Sequence, residues 1–451
     1  MIERLRLDFH RVFENELIRR IVKNAGYLFS ATGIAAVMSM FQSILAARML
    51  GPANFGILGA ITTFTSVVNR FASFRMNELV VRYVGNYQEK GDQQRAAAVF
   101  KAAGLMEVTG SVAAFVLIWL LAPLGAKLFA HDLSFTQWFV VYGSIVLANL
   151  IFESALGLLQ IFDRFRTIAS ITASQSTFTL VLIVLIYLLR PGNILVTVII
   201  AYMSGKVLGA LAVTISALKQ ASQHWGKGWW RVSLGVLASD RRSLLSFAFS
   251  TNISSSVSLV AKDSEVLWVS SFLGTTAAGY YKVAIAISNL LQLPISPLPK
   301  ATYPELTREI ARKQWKNVRY ILKQGSRLAM LYSVPVTAGL MVFGKWVITL
   351  LYGEQYTPAY TPLLLLLVGF TLTNIFYWNR VALLALARPV YPTLVNLAGM
   401  LVKVSVIFLF ADYLTPLFFA GLLSGYYIFT VGLAVLRVNL DLKKRLTGEA
   451  G

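Results

Sequence analysis

ILAARMLGPANFG, residues 44–56, is matched in the second half of the chain by LWVSSFLGTTAAG, residues 267–279. Both read Leu-Gly-x4-Gly, with Leu50, Gly51 and Gly56 against Leu273, Gly274 and Gly279. Glycine lets a chain reverse where a Cβ would clash, so each stretch predicts a sharp corner between two helices. Apolar runs long enough to cross a bilayer, about 20 residues, flank both corners. Each half then carries a basic segment after its second run, NYQEKGDQQRAAAVFKAAG (86–104) and REIARKQWKNVRYILKQGSR (308–327). The same elements in the same order predict an internal repeat. Outward from these corners, apolar runs continue along the chain and give twelve predicted spans, six on each side of a polar, aromatic linker. The expected organisation is an amphipathic cytoplasmic segment at 1–23, a six-helix bundle at 24–220, a cytoplasmic linker at 221–243, a second six-helix bundle at 244–437 and a cytoplasmic tail at 438–451. An even number of spans per half gives the two copies one orientation, related by an axis along the membrane normal.

Composition agrees with an all-α polytopic membrane protein. The 451 residues are 57% hydrophobic and 14% charged, against roughly 45–50% and 25% in soluble domains. The first residues carry scattered charges and no cleavage-site pattern, so they predict a surface helix with Leu5, Phe9, Phe13 and Leu17 near one face. There is no cysteine, and His10, His131 and His224 all fall outside the predicted spans. No metal site, catalytic residue or bound cofactor is expected. The net charge of +21 concentrates on one side of the predicted topology, which the positive-inside rule makes cytoplasmic. Both termini are therefore expected in the cytoplasm, and nucleic acid is not needed to explain the basicity. The opposite loops are short, leaving no room for an external catalytic domain, and no phosphate-cradling Gly-x4-Gly-Lys-Ser/Thr loop is present. These features argue against an enzyme and against direct ATP drive.

AARMLGPANFGILGAI (46–61), AKDSEVLWVSSFLGTTAAGYYKVA (261–284) and LLYGEQYTPA (350–359) resemble the polysaccharide-export, O-antigen (Wzx-type) flippase branch of the multidrug/oligosaccharidyl-lipid/polysaccharide (MOP) transporter superfamily. The resemblance implies a V-shaped, MATE-like fold of two six-helix bundles that open alternately. It implies movement of polyprenyl-diphosphate-linked oligosaccharide from the inner to the outer leaflet of a bacterial cytoplasmic membrane, for O-antigen, capsule or exopolysaccharide synthesis. Lipid-linked oligosaccharide, membrane lipids and the polymerase and export machinery are the implied partners. A cation-coupled multidrug antiporter of the same superfamily is the alternative.

The charges inside predicted spans carry the functional reading. Glu153, Lys206, Lys262, Asp263, Glu265 and Lys403 sit at mid-depth. Each costs about 2.5–3.5 kcal/mol at a helix centre, so six facing lipid would cost on the order of 15–20 kcal/mol, more than the ~5–15 kcal/mol of typical folding stability. They must pair or line a polar cavity. On a helical wheel Thr251, Ser254, Ser255, Ser258, Lys262 and Glu265 form one polar stripe, and Asn252, Ser256, Asp263 and Ser270 a second. Lys262 and Glu265, three residues apart, are in place to neutralise each other, whereas Asp263 needs a partner from elsewhere. A lipid diphosphate calls for Arg and Lys donors, and Arg70, Lys206, Lys262, Arg380 and Lys403 are the candidates. Asp263, Glu265 and Glu153 are candidates for coupling Na⁺ or H⁺, with the membrane potential as the other source of drive. Asn149, Asn374, Tyr377, Trp378 and Asn379 are candidate sugar contacts.

Overall fold

The computed structural model describes residues 16–72, 76–244 and 257–447, with side chains from Gly33 onward. Every regular element among them is helical. Nine helices among the described residues are long and apolar enough to cross a membrane. The first, Gly33–Ala72, contains two predicted spans, because the long Glu16–Ala72 helix breaks at Gly51. Glu265–Leu273 and Thr275–Leu290 stand at predicted spans seven and eight. The helices thus follow the twelve-span reading of an all-α polytopic membrane protein. Of the segment expected over 1–23, the part before Glu16, with Leu5, Phe9 and Phe13, lies outside the described residues. So do stripe residues Thr251, Asn252, Ser254, Ser255 and Ser256. From Glu16 the chain runs helically into the first span, and the final helix, Pro416–Leu446, carries on through most of the predicted tail.

The repeated corners fold alike. Gly51 has φ 70° and ψ 171°, and Gly274 has φ 86° and ψ 172°. That region is essentially reserved for glycine, so the motif enforces one backbone shape twice. Gly353 in LLYGEQYTPA makes a third such corner at φ 100° and ψ 163°. Long helices leave large apolar side chains exposed, among them Leu188, Leu331, Val342 and Leu409, as lipid-facing surfaces require.

Contacts divide the chain into two compact units. The first holds the chain before Ile44, then Phe71–Leu120, then Val140 through the central linker; the second holds Ile44–Arg70, Leu121–Phe139 and the chain after the linker. In the first unit, Met76–Glu89, Phe152–Ile161 and Ile194–Trp225 surround a core that includes Met76, Val80, Phe100 and Leu158. The linker belongs to this core. Leu237 is buried in it, Trp229 packs at a tilt against Phe100 and edge-on against Trp225, and the Lys101 ammonium donates to the Val232 carbonyl at 2.9 Å. Tyr87, on a helix outside the candidate spans, donates its hydroxyl to the Asp240 carboxylate of the linker.

Burial and the Asp240 bond push the Tyr87 phenol from 10.0 up to about 12. The folded state therefore holds this proton where the unfolded chain has lost it. Linkage then makes stability fall as pH rises from about 10 to about 12. Tyr87→Phe should remove that alkaline slope from melting temperatures measured across this range, while costing about 1 kcal/mol at neutral pH. An unchanged slope would mean that the phenol is not held by Asp240.

Candidate functional site

The second unit holds most of the predicted site, and a local irregularity arranges it. Leu259–Asp263 is a single π-helical turn, in which the Ser264 amide reaches back five residues to Leu259 O at 3.1 Å. Such a bulge inserts one residue into an α-helix. Carbonyls around it turn to side chains: Val260 O accepts the Ser264 hydroxyl at 3.1 Å, and Ala261 O accepts the Lys403 ammonium at 2.7 Å. The inserted residue also rotates the helix beyond it. Lys262 and Asp263 are exposed, whereas Glu265 is 1% exposed. The single stripe expected to hold both Lys262 and Glu265 is therefore split, and the two do not pair.

Glu265 instead binds Lys403, which is itself only 3% exposed, and accepts the Tyr281 hydroxyl at 2.9 Å. Lys403 comes from Val390–Leu409, so this buried pair ties the bulged helix to its neighbour. In this arrangement Lys403 and Glu265 are engaged with each other rather than turned toward open space. Asp263 finds its distant partner in Arg70, at the end of the Glu16–Ala72 helix; both side chains are partly exposed.

Beside this pair lies a cavity of about 190 Å³ lined by Lys262, Arg380, Asn379, Asn396, Tyr426 and Tyr427 among others, with no carboxylate in its lining. Neither Lys262 nor Arg380 has an ion-pair partner among the described residues. Tyr426 donates to Asn396 Oδ1 at 3.0 Å, fixing the amide on one wall. The cavity presents two cations with amide, hydroxyl and aromatic groups, a set able to bind a phosphorylated, hydroxyl-rich molecule.

The remaining predicted residues separate. Asn379 lines the cavity, although its amide donates to Phe376 O at 2.8 Å. Asn374 is buried and donates to Leu291 O at 2.9 Å, and Trp378 is buried with its indole on Ser326 Oγ at 2.7 Å. Tyr377 meets the Thr302 hydroxyl at 3.0 Å. Their polar groups are used between helices, which sequence position alone did not reveal. Lys206, Glu153 and Asn149 belong to the first unit. The exposed Lys206 ammonium lies 5.7 Å from the Tyr142 ring centre, and Asn149 sits where the predicted fourth span breaks between Ile145–Ala148 and Phe152–Ile161.

That break creates a polar cluster that sequence reasoning missed. Glu107 is 3% exposed, and its carboxylate accepts the Glu153 amide at 2.7 Å, the Ser154 amide at 2.9 Å and the Ser154 hydroxyl at 2.7 Å. It caps the Phe152–Ile161 helix from a neighbouring one, satisfying amides that a helix start leaves open.

A family model described as "Polysaccharide biosynthesis protein" matches residues 21–309. The chain belongs to the polysaccharide biosynthesis protein family. This family member is 25% identical over 365 residues to the inner membrane protein YghQ of Escherichia coli K12, covering 77% of the chain and 97% of YghQ. Its fold is that of MOP-superfamily transporters. It superposes on the lipid II flippase MurJ, in an inward closed conformation, with a TM-score of 0.68 at 17% identity, covering 93% of this chain and 89% of that one. An inward-facing multidrug MATE transporter gives a TM-score of 0.66 at 16% identity, covering 91% and 96%. A MOP-superfamily transporter from Pyrococcus furiosus, described as having a binding pocket of reverse polarity, gives 0.66 at 14%, covering 94% and 96%.

Proposed function

We propose that this protein is a flippase carrying polyprenyl-diphosphate-linked oligosaccharide from the inner to the outer leaflet of a bacterial inner membrane, for assembly of a surface polysaccharide. The supporting observation is the cavity with Lys262 and Arg380 in its lining and no carboxylate among the lining residues, the neighbouring Asp263 being paired with Arg70. Two fixed cations favour a diphosphate over an organic cation, which sets this reading ahead of a multidrug antiporter. The family description and the inner-membrane relative point the same way. Lys262 and Arg380 are the assigned phosphate contacts, Arg70 adds a third donor that Asp263 orients, and Asn379 and Asn396 are placed for sugar hydroxyls.

The drive we assign is the membrane potential. Asp263 and Glu265 already have cationic partners, so neither is set aside for an exchanging ion. Each negative charge leaving an inside-negative cell gains about 2.3 kcal/mol per 100 mV, and a diphosphate carries about two. Cytoplasmic termini follow from the positive-inside pattern.

Liposomes containing the purified protein and a fluorescent polyprenyl-diphosphate oligosaccharide, read with an impermeant quencher, test this directly. Lys262→Ala and Arg380→Ala should each slow flipping about tenfold or more, the worth of a charge-assisted hydrogen bond. An imposed potential should speed the wild type. Export of small organic cations without any lipid flipping would assign the protein to the antiporter reading instead.

A further inference from the structure

Trp315–Tyr352, one of the long apolar helices, begins at a tight turn in which Lys313 takes the left-handed conformation, φ 56°. The turn is fixed by Lys313 N–H to Ile310 O at 2.9 Å and Gln314 N–H to Glu309 O at 2.9 Å. It lies against the end of the Pro416–Leu446 helix, where the Arg445 guanidinium covers the Trp315 ring at 4.5 Å. Between them is a second cavity, about 390 Å³, separate from the one already described and lined by Lys313, Gln314, Trp315, Lys316, Asn317 and Arg445, with Leu446 at its edge. Three cations and no carboxylate face it. The nearby acid Glu309 is turned to Asn317 Nδ2, 2.7 Å, and to Arg312, 3.6 Å.

We propose that this cavity binds the phosphate headgroup of an anionic phospholipid. Basic pockets at helix ends near a membrane surface suit such headgroups, and tryptophan favours the same interfacial depth. The helix that starts here supplies the rest of the site. Tyr320, 63% exposed, follows within two turns, and the exposed Arg319, Lys323 and Arg327 continue the basic face until the apolar Leu328 and Leu331, at 60% and 76% exposure, begin. A headgroup held by Lys313, Lys316 and Arg445 would sit at the start of this basic face, with Trp315 stacked beneath the arginine.

Native mass spectrometry of the full-length protein, released from detergent with added cardiolipin, phosphatidylglycerol or phosphatidylcholine, tests the site. Inorganic phosphate at millimolar concentration serves as competitor. Removing one cation should weaken retention of the anionic lipids roughly fivefold, and the combined Lys313→Gln, Lys316→Gln, Arg445→Gln variant about a hundredfold, at about 1 kcal/mol per cation. Phosphatidylcholine retention should not change. Melting temperatures in lipid-free detergent should match the wild type for Lys313→Gln and Lys316→Gln, whose side chains are exposed, and fall slightly for Arg445→Gln, which loses its place over Trp315. Equal retention by wild type and triple variant overturns the proposal. Full displacement of lipid by inorganic phosphate also overturns it, making the cavity a free-anion site.

Discussion

Lys403→Ala should be among the most damaging single changes to this protein, at about 3–5 kcal/mol, the usual cost of leaving one member of a buried ion pair alone. Lys403 and Glu265 are 3% and 1% exposed, and both have further partners, Ala261 O and Tyr281. Alanine would strand the carboxylate, the Ala261 carbonyl and a volume once filled by four methylenes. Glu265→Gln should cost less, since the amide still accepts from Tyr281 and only the ammonium is left unmatched. Combining Lys403→Met with Glu265→Gln removes both charges, and should recover about 2 kcal/mol or more relative to the sum of Lys403→Met alone and Glu265→Gln alone. Denaturation of detergent-purified protein reads this coupling. If Lys403 served the substrate directly, Lys403→Ala would abolish flipping while leaving stability intact, and Glu265→Gln would have no effect on it. The two outcomes separate a pair that shapes the site from a residue that binds cargo.

The pair also shows where the sequence stops being informative. The apolar runs, the Leu-Gly corners and the need for a polar interior are local signals, and the helices follow them. Asp263 is legible as an acid needing a distant partner, though not that Arg70 supplies it. Lys262 and Glu265 fall on one predicted stripe because a wheel assumes 3.6 residues per turn, and the π turn at Leu259–Asp263 breaks that assumption. The Glu265–Lys403 contact joins positions 138 residues apart, a distance at which no periodicity speaks. Glu107 lies near one end of its apolar run, where a carboxylate passes for an anchor at the membrane surface. Its role appears only because the predicted fourth span breaks within SIVLANLIF, residues 144–152, a stretch with neither glycine nor proline to signal it. Asn374 and Trp378 read as candidate sugar contacts because polar groups in spans suggest function. Their partners, a backbone carbonyl and a serine, depend on which helix lies alongside.

Gly279→Val should break the contact between the two repeated corners. Within the second unit these corners cross backbone to backbone: a Cβ on Gly279 would collide with the Pro52 carbonyl oxygen and lie 2.9 Å from its carbon, and one on Gly56 would collide with Thr275 O and lie 3.0 Å from Gly279 N. No side-chain rotation relieves an overlap with backbone, so the helices must separate, at about 1–3 kcal/mol or more. Neighbouring bonds hold the same region closed. Arg48 Nε donates to Leu351 O at 2.7 Å, Tyr356 OH to Ala47 O at 2.8 Å and Ser270 Oγ to Phe129 O at 2.6 Å. A valine at position 279 should therefore loosen the corner rather than unfold the protein, and the absence of natural cysteines makes the effect measurable. Ala46, fully buried beside the first corner, becomes a reporter as Ala46→Cys. Maleimide labelling should be slow in that background and at least tenfold faster when Gly279→Val is added, in proportion to the population shift a cost of about 1.4 kcal/mol produces. Gly85→Ala, where an added Cβ meets nothing within 4 Å, should leave labelling unchanged. Equal rates with and without Gly279→Val would mean that the corners already part freely.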